Sequence, residues 1–171
     1  GFVPRKDYML MSPEVQFLFF PKKGLVNQHS INIDSRFFLQ VGKDGNTIIP
    51  DWGLSERQIE AEWEIRFANN TQAGLTLKED ELTLLRDFDP TRLQDDGVFL
   101  PAGSSYHFLS MEASYESDQR KKFFYEVGPN FGQFYSGIRA GLSGTFTYRY
   151  QPFGSIAVDF DYNYIKLADP F

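Results

Sequence analysis

Apolar and polar residues alternate with a period of two along most of this chain, while the 3.6-residue period of an amphipathic helix is almost absent. Successive side chains of a strand point to opposite faces of a sheet, so the pattern calls for an all-β chain. The stretch GSIAVDFDYNYIKL shows it most clearly. Ile156, Val158, Phe160, Tyr162 and Tyr164 share one face, and Asp159, Asp161 and Asn163 the other. Eight strands are predicted, over residues 15–20, 29–41, 57–68, 73–85, 106–116, 121–131, 138–150 and 155–167. Several exceed the roughly five or six residues usual in soluble sheets.

The two faces keep their character from strand to strand. One carries Ile31, Ile33, Phe37 and Leu39, then Ile59, Ala61, Trp63, Ile65 and Phe67, then Leu109, Met111, Ala113 and Tyr115. It continues through Ala140, Leu142, Phe146, Tyr148 and Tyr150. The opposite face carries Asp34, Arg36, Glu60, Glu62, Glu64, Arg66, Glu112, Arg139 and Arg149. A two-layer sandwich also alternates, so the oily face has two candidate surroundings, a protein core or lipid.

The connections bear on that choice. Every second one, starting after residue 41, reads as longer than its neighbours; the most extended is the run RDFDPTRLQDDGVFLPAGSS. In an up-and-down meander, alternate connections lie at opposite ends of the sheet. Short turns at one end and long loops at the other is the arrangement of outer-membrane barrels. Aromatic placement agrees: Phe146, Tyr148 and Tyr150 crowd one end of the apolar band, and Phe160, Tyr162 and Tyr164 the other end on the next strand. Amphipathic rings favour both membrane interfaces. Apolar must oppose apolar, which predicts Tyr150 opposite Ile156 and a ring, Tyr162, over the bare Gly144.

Composition narrows the remainder. The chain has no cysteine, which removes disulfides and thiolate chemistry. Its net charge of −6 argues against nucleic acid, whose phosphates need a basic footprint. No apolar run reaches the ~18 residues of a transmembrane helix. A transmembrane strand shows its hydrophobicity only on alternate residues, so the modest mean hydropathy of −0.38 says nothing against one. The opening GFVPRKDY lacks the basic region and apolar core of a signal peptide. With LADPF at the other end, the expectation is a segment of a longer barrel.

Three stretches carry a resemblance: GFVPRKDY, FDPTRL with LPAGSSYHFLSMEASYESDQRKKF, and GQFYSGIRAGLSGTFTYRYQPFGSIAVDFDYNYIKL. Together they resemble part of the C-terminal β-barrel region of a family of large outer-membrane proteins. That family carries an N-terminal carbohydrate-binding family 9-like domain before this region of unknown function. The resemblance implies the outer membrane of a Gram-negative bacterium, a lipid bilayer as surroundings, and further strands or a partner barrel protein beside these. It also implies a link to glycan binding, uptake or export. It brings neither a catalytic motif nor sugar-binding residues, since the carbohydrate-binding domain has no counterpart here.

Candidate chemistry is sparse. Glu60, Glu62 and Glu64 form an acidic row with neighbours about 6–7 Å apart, a spacing at which paired carboxylates can hydrolyse glycosides. The plainer reading is a solvated lumen wall balanced by Arg36, Arg66, Arg139 and Arg149. His29 and His107 lack companions for a zinc site, so no metal or other cofactor is expected. Asp87, Asp89, Asp95 and Asp96 offer oxygen ligands without EF-hand spacing. Gly137, Gly141 and Gly144 precede no helix and do not make a phosphate loop. Trp52 is a candidate for stacking on a sugar or for capping a rim.

The expectation is therefore an antiparallel up-and-down meander of about eight strands, forming a transmembrane outer-membrane β-barrel or a segment of a larger one. Trp63, Phe67, Leu142, Phe146, Tyr148, Tyr150, Ile156, Val158, Phe160, Tyr162 and Tyr164 would face lipid. Asp34, Arg36, Glu60, Glu62, Glu64, Arg66, Glu112, Arg139, Arg149, Asp159 and Asp161 would line a polar lumen. The alternatives are a soluble lipocalin-like or β-sandwich binding protein for an apolar or carbohydrate ligand, and a glycoside hydrolase.

Overall fold

A computed structural model describes residues 8–41, 52–84, 87–89 and 99–167. Among them there is no helix, and nine strands form one antiparallel sheet. They are β1 (Tyr8–Met11), β2 (Glu14–Phe19), β3 (Val26–Val41), β4 (Trp52–Phe67), β5 (Gln72–Thr83), β6 (Ser105–Glu116), β7 (Phe123–Phe134), β8 (Gly137–Tyr150) and β9 (Gly154–Lys166). From β3 onward each strand pairs with the next in sequence, which is an up-and-down meander.

The ninth strand comes from a division at the first edge. β1 pairs with the stretch Phe37–Gln40 of β3, and β2 with His29–Asp34 on the same side. The break falls at Ser12 and Pro13; proline has no N–H to give to a ladder, although the Pro13 carbonyl still accepts from Ser35 N at 3.0 Å. β1 and β2 are thus one interrupted edge strand. The opposite edge, β9, is continuous over 13 residues and among the described residues pairs only with β8. The sheet is open.

Three sequence expectations change. β7 runs on to Phe134 through Pro129, and its ladder to β6 skips from Asn130 to Val127 at that point. The next connection is then only Tyr135 and Ser136, with Tyr135 in the left-handed region at φ 49°. The loop asymmetry therefore rests on the β3–β4 and β5–β6 connections alone. The β8–β9 register is also shifted: Tyr150 faces Gly154, Tyr148 faces Ile156, and Gly144 faces Phe160. A Cβ on Gly144 would lie 2.8 Å from the Phe160 ring and 2.5 Å from the Glu126 carbonyl. A ring does cover the glycine, but it is Phe160 in place of Tyr162.

The pairings carry each apolar position onto another. Phe17, Ile31, Trp63, Leu75 and Ala113 follow one another across β2 to β6, and Leu142 and Tyr162 face each other across β8 and β9. The next row holds Val15, Ile33, Ala61, Leu77, Met111, Phe131, Ala140 and Tyr164. No layer of the described residues covers them. Trp63 is 44 % exposed, Leu142 43 % and Ile156 70 %, while the buried apolar side chains among the described residues are Leu84 and Leu100 alone. Both belong to the β5–β6 connection and none of this face. The sheet curls the other way: a cavity of about 590 Å³ spans β4 to β8, lined mostly by polar-face residues, with Met111 and Phe131 also reaching it.

Candidate functional site

The concave face gathers most of the polar residues singled out in the sequence. Glu60, Glu62, Glu112 and Arg139 line the 590 Å³ cavity with Lys78, Asp80 and Asn130. Asp159 and Asp161 meet Glu112 and Glu126 around a hollow of about 440 Å³ on β6 to β9. Asp34 and Arg36 join Glu14 and Glu60 in a third, of about 300 Å³. Glu64 and Arg66 pair with each other at 3.2 Å, further along β4.

The balancing cations behave differently from one another. Arg139 Nε donates to Asn163 Oδ1 at 3.0 Å. Arg149 lies at the short-turn end of the same face: its Nη1 donates to the Gln119 carbonyl at 2.7 Å and its guanidinium lies 4.6 Å from the centre of the Phe124 ring. It fastens the β6–β7 turn. Two carboxylates are held by neutral donors, Glu62 by Asn32 at 3.0 Å and Asp159 by Thr145 at 2.7 Å, while Asp80 pairs with Lys78 at 3.7 Å. In the main cavity the carboxylates Glu60, Glu62, Asp80 and Glu112 stand against Lys78 and Arg139. The wall therefore carries excess negative charge. No group of three or more His, Cys, Asp or Glu arranged to hold a metal occurs among the described residues.

One feature of this face is not evident from its polar alternation. Phe108 and Phe134 lie on it and share the cavity with Tyr135. Tyr106 and Phe108 stack at 6.3 Å, and Tyr135 meets both edge-on, at 5.5 and 5.3 Å. Phe134 meets Tyr135 edge-on at 4.9 Å, and Phe88 of the long connection closes over Tyr135 at 5.2 Å. Phe88 is held by a bridge to Leu100, with N···O distances of 3.0 and 2.8 Å. Burial, with a contribution from Tyr106, raises the Tyr135 hydroxyl above the usual phenol range, so it stays neutral. The signal is readable in hindsight, as Tyr106, Phe108 and Phe134 occupy positions where their strands otherwise place Ser110, Glu112 or Asn130.

The convex face holds the other set. Trp63, Leu142, Phe146, Tyr148, Tyr150, Ile156, Val158, Tyr162 and Tyr164 are exposed there, and Phe67 and Phe160 half-buried. His29 stacks between Phe19 and Trp63, accepting from Trp63 Nε1 at 3.3 Å. Towards the same end Tyr115, Tyr125, Phe123, Phe146 and Phe160 form a chain of rings. At the end that carries the long connections the band stops at a polar border. Arg57 pairs there with Glu79 at 2.7 Å and Glu81 at 3.3 Å, and His107 with Glu79 at 2.8 Å. The signal was the change from Leu75 and Leu77 to Glu79 and Glu81 within one face of one strand.

Asp95 and Asp96, like the side chain of Trp52, lie outside the described residues. Asp87 accepts from Ala102 N at 2.8 Å, a loop-bracing role. Comparison with models of known families, with curated proteins and with solved structures gives no match.

Proposed function

We propose that this chain is a wall segment of a transmembrane β-barrel in a Gram-negative outer membrane. Its convex face meets lipid, and its concave face lines a wet lumen that serves glycan binding, uptake or export without catalysis in these residues. The observation that carries the reading is the exposure of an apolar face eight strands wide, with no protein layer over it among the described residues. Soluble proteins rarely expose an apolar patch beyond a few hundred Å². A bilayer is the surrounding in which such a face is stable.

Dimensions support it. Ile59 to Phe67 on β4 and Ile156 to Tyr164 on β9 each cover eight residue steps. That is about 26 Å along the strand, or about 20 Å along the axis at the ~40° tilt of outer-membrane strands. Strands of 12 to 16 residues exceed the roughly 9–11 needed to span. The ring-rich margin at one end and the Arg57–Glu79–His107 border at the other match two interfaces. Unpaired N–H and C=O groups are costly in lipid, so the free edges of β9 and β1–β2 imply further strands beside them.

Trp63 tests this directly. The chain has two tryptophans, Trp52 and Trp63. In the Trp52→Phe variant of the full chain, refolded into vesicles, lipids brominated on the acyl chain should quench most of the Trp63 emission. Unquenched emission, or a monodisperse detergent-free chain in water, would overturn the membrane reading.

A further inference from the structure

We infer that the 590 Å³ cavity binds a short neutral or amino-bearing oligosaccharide, stacked on the aromatic ledge of Phe108 and Phe134. The inference rests on the reading above in one respect: the concave face must be open to water. Its volume falls within the roughly 300–1,000 Å³ of small-ligand pockets.

The construction starts with register. Asp80 pairs with Phe108, Lys78 with Ser110, and Ser110 with Gly132. The floor beside the ledge is thus made of small residues, and a Cβ on Gly132 would run into Ser110. A side chain of any size there would fill the hollow. One wall consists of rings, held by Tyr135 and braced from the long connection by Phe88. The facing walls consist of carboxylates, Lys78, Asn130 and Arg139.

Rings fixed on the wet side of a polar wall, next to charged groups, call for a ligand with both characters. A pyranose has them: a flat face of C–H groups for the ring, and a rim of hydroxyls for carboxylate acceptors and guanidinium or amide donors. A purely apolar ligand would leave those polar groups without partners, which is costly. A phosphorylated or uronate sugar would meet four carboxylates against two cations. The charge excess therefore selects neutral or amino sugars over acidic ones.

The experiment uses the full chain refolded in vesicles, with saturation-transfer NMR and calorimetry. The probes are trimers of glucose, mannose, N-acetylglucosamine and glucosamine, with trigalacturonate and trilysine as controls. At least one neutral or amino trimer should bind, and Phe134→Ala and Phe108→Ala should each weaken it about tenfold or more. Glu62→Gln should weaken it less, and Leu77→Ala, on the convex face and outside the cavity lining, should leave it unchanged. Binding of no sugar, binding by the two ledge variants as tight as by the parent, or preference for trigalacturonate or trilysine would overturn the inference. Trp63 quenching is read on the same vesicles. Quenching without sugar binding overturns the site alone, and sugar binding without quenching overturns the membrane reading alone.

Discussion

Asp118 shows how much a single turn residue contributes. Its Oδ1 accepts from Arg120 N and Nε, both at 3.0 Å, and its Oδ2 from Arg120 Nη2 at 3.0 Å. The same guanidinium meets the Asn70 amide oxygen of the β4–β5 turn, with Nη1 at 3.0 Å. Two turns are thereby tied together at the end opposite the long connections. The hydrogen bond from Arg120 N, outweighing the effect of burial, lowers the Asp118 carboxyl below its ordinary value. A folded-state pKa below the unfolded one means stability that is full at neutral pH and is lost as pH falls through the acid range, from about 4 downward. Asp118→Asn should therefore be less stable than the parent at pH 7. The gap in urea midpoint should narrow as pH drops below about 4; a gap independent of pH would contradict this account.

Among the elements, the two edges are unequal. β1–β2 is interrupted at Ser12 and Pro13, a device that blunts an edge. β9 has no proline or bulge, and among the described residues nothing pairs with its other side. Amides of Glu56–Arg66 in β4, with partners on both sides, should exchange slowly in the vesicle-bound chain. Alternate amides of Gly154–Lys166 should exchange orders of magnitude faster, because opening an edge breaks fewer bonds. Uniform protection of β9 would mean that another strand covers it. Strand existence and face were legible in the chain. β1 was not, because YMLM is apolar throughout and shows no alternation. The β7–β8 turn was not either: Tyr135 takes a left-handed conformation that non-glycine residues adopt uncommonly, so no Asn-Gly signal marked it.

At the largest scale the described strands form one curved amphipathic sheet, and its two faces should answer oppositely to the same change. Leu142 and Ser143 are neighbours on β8, one convex and one concave. In lipid, Leu142→Arg should cost about 2–4 kcal/mol, the penalty of a cation near the bilayer midplane. Ser143→Arg, beside Glu126 and Asp161, should stay within about 1 kcal/mol. Unfolding from vesicles by urea measures both, and equal penalties would remove the distinction between a lipid face and a lumen face.

The alternation alone determined which residues share a face, because a strand has a period of two and a slip of one residue would move the whole set to the other side. It determined parity and nothing finer. Whether Tyr150 meets Ile156 or Gly154 depends on how many residues the turn uses, and that was decided in three dimensions. So was the meeting of Phe108 and Phe134 on the wet face, since residues far apart in the chain become neighbours only once the ladders are paired. The direction of curl belongs to the same level: it set the carboxylates and the Phe108–Phe134 ledge around a hollow and left the Trp63 and Leu142 face outside, and no local property of the chain encodes it.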